Sequence, residues 1–315
     1  MANTTGKKIK DVAIIGGCAS LIYLTIGDIS YRLSLSRGGL NSKLITDMVA
    51  KSAAKKPKNE YKEKLDSMID DGADWFMHQD TEKIIIEKKH RQSLYADLIR
   101  PDKPSNVYII CIHGYTSSPA NMGIYAKKYH ELGYNVLLPS LRGHGDSEQD
   151  FITMGWNDRL DVIEWINYIA ERHPESKIIL HGVSMGAATT MMATGEKLPE
   201  NVKAAIEDCG YTSAWDILGI RLTKSIKLPR FPFLYSANIV NLLRENFNLR
   251  NASSVKQVKK SVTPTLFIHG EADTFVPKCS TRFILLPLAK RKCCLFPMLL
   301  TQEAFVLIRN SIGKL

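Results

Sequence analysis

The sequence predicts an α/β domain, a mostly parallel sheet with helices on both faces. Two observations carry this. From about residue 81, short apolar runs rich in β-branched residues alternate with stretches of helical periodicity. The chain also has 315 residues, enough for one large domain with a real core. The predicted strands fall at 84–86, 94–99, 107–112, 135–138, 178–180, 202–206 and 265–268. Helical spacing fills the gaps between them, as at 121–132 and 156–172.

Composition narrows the class further. At 44% hydrophobic and 23% charged residues the chain is neither disordered nor collagen-like. The net charge of +10 does not mark a nucleic-acid partner. Residues 279–315 alone hold six Lys/Arg against one acid, Glu303, a net of +5, and no basic stripe with interleaved aromatics occurs. The six cysteines form neither a disulfide framework nor a Cys-x-x-Cys zinc pair, so no metal site is expected.

Four regions follow from these patterns. Residues 1–30 read as a hydrophobic anchor or signal-like segment. Within them 12–27 carry no charge and follow Lys7, Lys8 and Lys10. A full span needs about 20 apolar residues, so these 16 are marginal, and a helix packed on the domain surface is the alternative. A membrane-anchored or exported protein is therefore expected over a cytoplasmic one, with membrane association through 12–27. Residues 31–80 read as a helical linker, with the lysine-rich, weakly amphipathic 40–75 as linker or surface helix. The core spans 81–278. Its interval 211–262 is long, apolar and marked by Pro229 and Pro232, and reads as a helical lid inserted between strands. The tail, 279–315, shows no clean periodicity.

The sharpest local signal is His181-Gly182-Val183-Ser184-Met185-Gly186. It follows an apolar run and opens a helical one, the strand–turn–helix context of a strained elbow that lifts a serine hydroxyl clear of a sheet. Gly182 and Gly186 keep side chains out of that turn, and the helix N-terminus favours developing negative charge. His113-Gly114-Tyr115 follows another strand. With the elbow it assigns an oxyanion hole to the backbone N–H groups of Tyr115 and Met185. Asp273 lies just past the strand at 265–268, where a carboxylate can orient a histidine, and Glu271 is the spare carboxylate.

Together with Leu141-Arg142-Gly143-His144-Gly145-Asp146-Ser147, Asp208-Cys209-Gly210-Tyr211 and His269-Gly270-Glu271-Ala272-Asp273, these motifs resemble the α/β-hydrolase superfamily, in its serine-aminopeptidase-like and bacterial esterase branch, over about residues 81–277. The resemblance implies the α/β-hydrolase fold and a Ser–Asp–His triad built on Ser184 and Asp273. It implies cleavage of an ester, thioester or amide in a small-molecule or peptide substrate, with no cofactor.

One member of that triad is absent. All eight histidines precede Asp273, and residues 280–315 contain none. Read one base out of frame, permitted codons for 279–315 spell an amphipathic helix, a β-run ending Val-Pro-Asp and an Ala-His-Ala turn. The histidine codon spans Leu300 and Thr301. A single-base loss near codons 278–280 is the expected cause. The chain as written is then an impaired serine hydrolase or a pseudoenzyme, with a tail that replaces the last strand and helix.

Overall fold

The β-branched runs form strands because they are covered on both faces, the setting in which near-continuous apolar sequence folds as parallel sheet. In the computed structural model, which describes residues 2–37, 60–90, 92–270, 276 and 291–296, all seven expected runs are strands. They are β1 (Glu82–Ile86), β2 (Leu94–Ile99), β3 (Val107–Ile112), β4 (Asn135–Pro139), β5 (Lys177–Val183), β6 (Val202–Asp208) and β7 (Thr265–Gly270). With β8 (Arg291–Phe296) they form one sheet in the order β1-β2-β4-β3-β5-β6-β7-β8. β1 and β2, and β2 and β4, pair antiparallel; every pairing from β4 to β8 is parallel.

Successive side chains of a strand point to opposite faces, so β3 feeds two cores. Tyr108, Ile110 and Ile112 lie in one with Trp165 and Met191; Ile109 and Cys111 lie in the other with Tyr125 and Tyr129. The helices covering these faces include α2 (Glu60–Met77), α3 (Gly123–Glu131), α4 (Asp158–Arg172) and α5 (Met185–Thr194). Residues 60–77 form a helix on the surface of the domain. They pack on α3 so closely that a carbon added at Gly123 would lie 2.0 Å from the Gly72 carbonyl oxygen, and Phe76 is buried.

The N-terminal segment corrects an expectation. Residues 12–27 belong to α1 (Ala2–Leu35), and among the described residues no helix is long and apolar enough to cross a membrane. The apolar run is cut short by Asp28, and the following turns are committed to the domain. Tyr31 and Leu35 are wholly buried, and the Tyr31 hydroxyl donates to Glu245 Oε1 at 3.2 Å. Gly27 lies against the backbone of Ser236.

The interval 211–262 is helical. It holds α6 (Ala214–Ile220), a π-helical stretch (Arg221–Ile226), α7 (Phe233–Glu245) and α8 (Ser254–Val258). α1 packs along α7, and an ion pair joins Arg244 to Asp28.

The tail also departs from expectation at one place. Arg291–Phe296 does form an edge strand, in register from Thr265↔Arg291 to Gly270↔Phe296. A parallel ladder is held by backbone groups, so an open edge on β7 accepts any extended segment that offers them. The rest of 279–315 lies outside the described residues.

The docking of α1 is testable. Tyr31→Ala removes a fully buried ring and strands Glu245, so the unfolding free energy in urea should fall by about 3–5 kcal/mol. A fall under about 0.5 kcal/mol would mean that α1 contributes nothing to the fold.

Candidate active site

The site begins with two close approaches of backbone. A carbon added at Gly182 would lie 2.1 Å from the Gly186 carbonyl oxygen, and one added at Gly186 would lie 2.0 Å from that of Ile112. No side chain fits at either place. The chain between them turns through Ser184 at φ 55°, ψ −110°, a left-handed conformation that costs a non-glycine residue about 1–3 kcal/mol. Backbone bonds hold it there: the Ser184 N–H donates to the Asp208 carbonyl at 2.8 Å, and its own carbonyl accepts from Ala188 N–H at 3.0 Å. Ser184 thus stands at the N-terminal mouth of α5, where unpaired N–H groups favour negative charge.

Because β3 and β5 are parallel neighbours in register at Ile112↔Gly182, the loop after β3 arrives beside the elbow. A carbon added at Gly114 would touch the Ser184 Cβ at 3.5 Å. Tyr115 and Met185 flank this point. Among the described residues, neither backbone N–H donates a hydrogen bond. The Tyr115 phenol is buried, which pushes its pKa up, and donates to the Ser34 carbonyl at the end of α1. Asp273 and the spare carboxylate Glu271 lie outside the described residues. On either side of them, His269 Nε2–H donates to the buried Val276 carbonyl at 2.9 Å, tying the end of β7 to Val276.

Two histidines near the site are structural fasteners. His113 Nε2 accepts the Leu141 N–H at 3.1 Å, so its proton sits on Nδ1, facing the Gly114 carbonyl at 2.8 Å. His144 repeats the pattern: Nε2 accepts the Thr116 N–H at 3.0 Å, and Nδ1 faces the Arg142 carbonyl at 2.8 Å. The two rings meet edge-on at 5.0 Å. Burial, with a smaller contribution from His144, pushes the His113 pKa down to about 3; burial also lowers that of His144. Below the elbow, burial takes His181 down to about 3, and its Nδ1 pairs with the Tyr129 hydroxyl at 2.9 Å.

The loop carrying His144 is pinned in turn. Arg142 forms a two-pronged pair with Asp161 at 2.6 and 2.9 Å, and Asp158 receives the Arg142 N–H, the Thr153 hydroxyl and the Gly155 N–H.

Residue-level reasoning found the elbow and the β3 loop but gave no role to Glu207 and Asp208. The Asp208 carbonyl holds Ser184, while the buried Glu207 carboxyl accepts the Gly210 N–H at 2.9 Å and shapes the next turn. The Asp-Cys-Gly-Tyr motif was the available signal, with Cys209 at positive φ.

The buried histidines set a pH dependence. An unfolded histidine takes up its proton near 6.5, whereas His113 and His181 do so near 3. Below pH 6.5 the unfolded chain therefore binds more protons. The stability associated with these groups is complete above that pH and falls by about 1.4 kcal/mol per pH unit for each histidine as pH drops toward 3. Imidazole 15N spectra from pH 8 to 5 should keep both side chains neutral; a midpoint near 6.5 for either would contradict the assignment.

With this geometry in place, comparison with known proteins is informative. Residues 107–228 match the family described as alpha/beta hydrolase fold. The chain is 29% identical over 207 residues to the uncharacterized protein YqkD of Bacillus subtilis (strain 168), covering 65% of this chain and 68% of that one. Over 90 residues it is 31% identical to the thermostable monoacylglycerol lipase of Bacillus sp. (strain H-257), covering 27% of this chain and about a third (34%) of the lipase. Among solved structures, the Pyrococcus furiosus esterase Pf2001 superposes with a TM-score of 0.55 at 23% identity, over 76% of this chain and 91% of that one, a likeness of fold. The matched segment, the sheet order and the strained serine turn agree, and the chain has the α/β-hydrolase fold.

Proposed function

We propose that this protein is built as a serine hydrolase acting through an acyl-enzyme on Ser184, with a carboxylic ester as its first substrate class and an amide or thioester as alternatives. The observation that carries this is the Ser184 turn, forced by Gly182 and Gly186 and placed at the N-terminus of α5. In the proposed reaction, the Ser184 hydroxyl attacks the carbonyl carbon while the N–H groups of Tyr115 and Met185 receive the oxyanion. Collapse of the tetrahedral species expels the alcohol, and water then clears the acyl group. Asp273 is the proposed partner of the base. The preference for esters rests on the similarity to a monoacylglycerol lipase and an esterase, together with the apolar helices of 211–262. Those helices are proposed to form a cap, since Leu218 and Leu222 pack against the same core cluster as Tyr115.

No histidine follows Asp273 in the sequence to take the proton of Ser184. A serine hydroxyl is almost wholly protonated near neutral pH and needs a base. The lone pairs of His113 and His144 already accept backbone N–H groups. A second reading follows: the chain as written is a pseudoenzyme, or the product of a frame-shifted gene.

Two measurements test these readings. The purified chain should hydrolyse p-nitrophenyl butyrate only weakly, about 10³–10⁴-fold above water, and Ser184→Ala should lower that by less than about tenfold, because the residual rate comes from the oxyanion hole and binding. Robust turnover lost in Ser184→Ala would instead mean that an existing histidine serves as base. Resequencing codons 276–281 should reveal one missing base, and the repaired chain should gain on the order of 10⁴-fold in kcat. An unrepairable reading frame would leave the pseudoenzyme.

A further inference from the structure

Seventeen large apolar side chains are exposed among the described residues, and twelve of them lie on α1, on α7 or on the stretch leading into α7. Scattered singly they would need no explanation, since much of any protein surface is apolar. Here their spacing is helical. On α7 the outward positions are Tyr235, Ile239, Leu242 and Leu243, with Leu243 74% exposed. On α1 Ile22, Ile29 and Leu33 share one side, one to two turns apart, with Ile22 61% exposed, and Leu21 and Leu24 are exposed beside them. Each helix therefore presents one apolar stripe inward and a second outward. The two pack against each other, and Tyr23 and Phe231 meet across the junction with ring centroids 6.2 Å apart.

The charge beside this face has one sign. Residues 221–230 contain Arg221, Lys224, Lys227 and Arg230 and no acid. Lys224 and Lys227 are exposed, as are Ile226 and Leu228 between and beside them. The acids on the described faces of the two helices are engaged within the protein: Asp28 pairs with Arg32 and Arg244, and Glu245 accepts from Tyr31. An apolar face edged by the exposed Lys224 and Lys227 fits a layer that is apolar inside and anionic at its surface.

We propose that α1 and α7 form an interfacial docking face that lies on an anionic lipid surface, with the helices in its plane and no segment crossing it. Tyr235, Ile239, Leu243 and Ile22 enter the acyl boundary, and Lys224 and Lys227 meet the headgroup phosphates. The inference is independent of Ser184 chemistry and is read without any activity.

The full chain is sedimented with vesicles of phosphatidylcholine alone and of phosphatidylcholine with about a third phosphatidylglycerol, the anionic fraction supplying the surface potential. It should bind the anionic vesicles at least about tenfold more tightly, and added salt should weaken that binding. Lys224→Glu with Lys227→Glu should abolish the preference for anionic lipid. Leu243→Ser with Ile239→Ser should reduce binding to both kinds of vesicle. All four side chains are exposed, so circular dichroism and thermal unfolding should match the parent chain. Absence of binding, or binding indifferent to both double variants, overturns the proposal. So does a concentration-dependent dimer in light scattering that Leu243→Ser with Ile239→Ser dissolves and that vesicles leave intact, since the face would then belong to a second copy.

Discussion

Two carbonyl oxygens stand where the Cβ atoms of residues 182 and 186 would have to be, at 2.1 and 2.0 Å. With glycine at both, β5 can turn straight into α5 and α5 can lie against the end of β3. With any other residue at either, the helix must move away and the serine turn relaxes. The remaining geometry follows from that contact. Parallel neighbours end at the same edge of the sheet, so the loop after β3 arrives at Ser184 and not elsewhere. β6, on the other side, supplies the Asp208 carbonyl that holds the Ser184 N–H. The strain at Ser184 is offset by these bonds and by the burial of every residue of α5.

A neutral imidazole is both donor and acceptor, and the chain uses that property to lace its loops. His113 joins the β3 loop to Leu141; His144 joins Arg142 to Thr116. The same bonds disqualify these rings as bases. To take a proton from Ser184, either ring would have to release a backbone N–H into a buried site, and burial already disfavours its cation. Proximity to a serine is therefore not enough. A catalytic histidine must have a free lone pair on one nitrogen and a carboxylate on the other, and neither His113 nor His144 meets the first condition.

What could be read from sequence was whatever depends on local pattern. Strands buried on both faces reveal themselves as apolar runs, and the elbow as glycines on either side of a serine. What escaped depends on partners distant in the chain. Residues 12–27 have the hydropathy of a marginal span because their partner, α7, comes some two hundred residues later; Tyr31 and Glu245 are 214 positions apart. The lysines of 31–80 obscured the docking of α2, because its apolar contacts, Met68, Trp75 and Phe76, are few and the closest approach is between two glycine backbones. Asp208 acts through its carbonyl, which every residue has. The strand at Arg291–Phe296 escaped because an edge position asks for little beyond extended backbone.

α1 also constrains how the proposed cap could open. It ties together elements far apart in sequence: Tyr31 and Asp28 hold α7, the Ser34 carbonyl receives Tyr115, and Arg37 donates to the Gly145 carbonyl. Swinging α7 outward would break the Arg244–Asp28 and Tyr31–Glu245 contacts together and wet two fully buried side chains, Tyr31 and Leu35. The stretch before α7 carries no such cost. The π-helical turn Arg221–Ile226 buries no residue, and 223–229 are exposed throughout. Low local burial is where opening is cheapest. The Arg221–Phe231 segment is therefore where the proposed cap would yield first, with α1 and α7 still clamped, and it is also the basic, apolar stretch proposed to touch lipid.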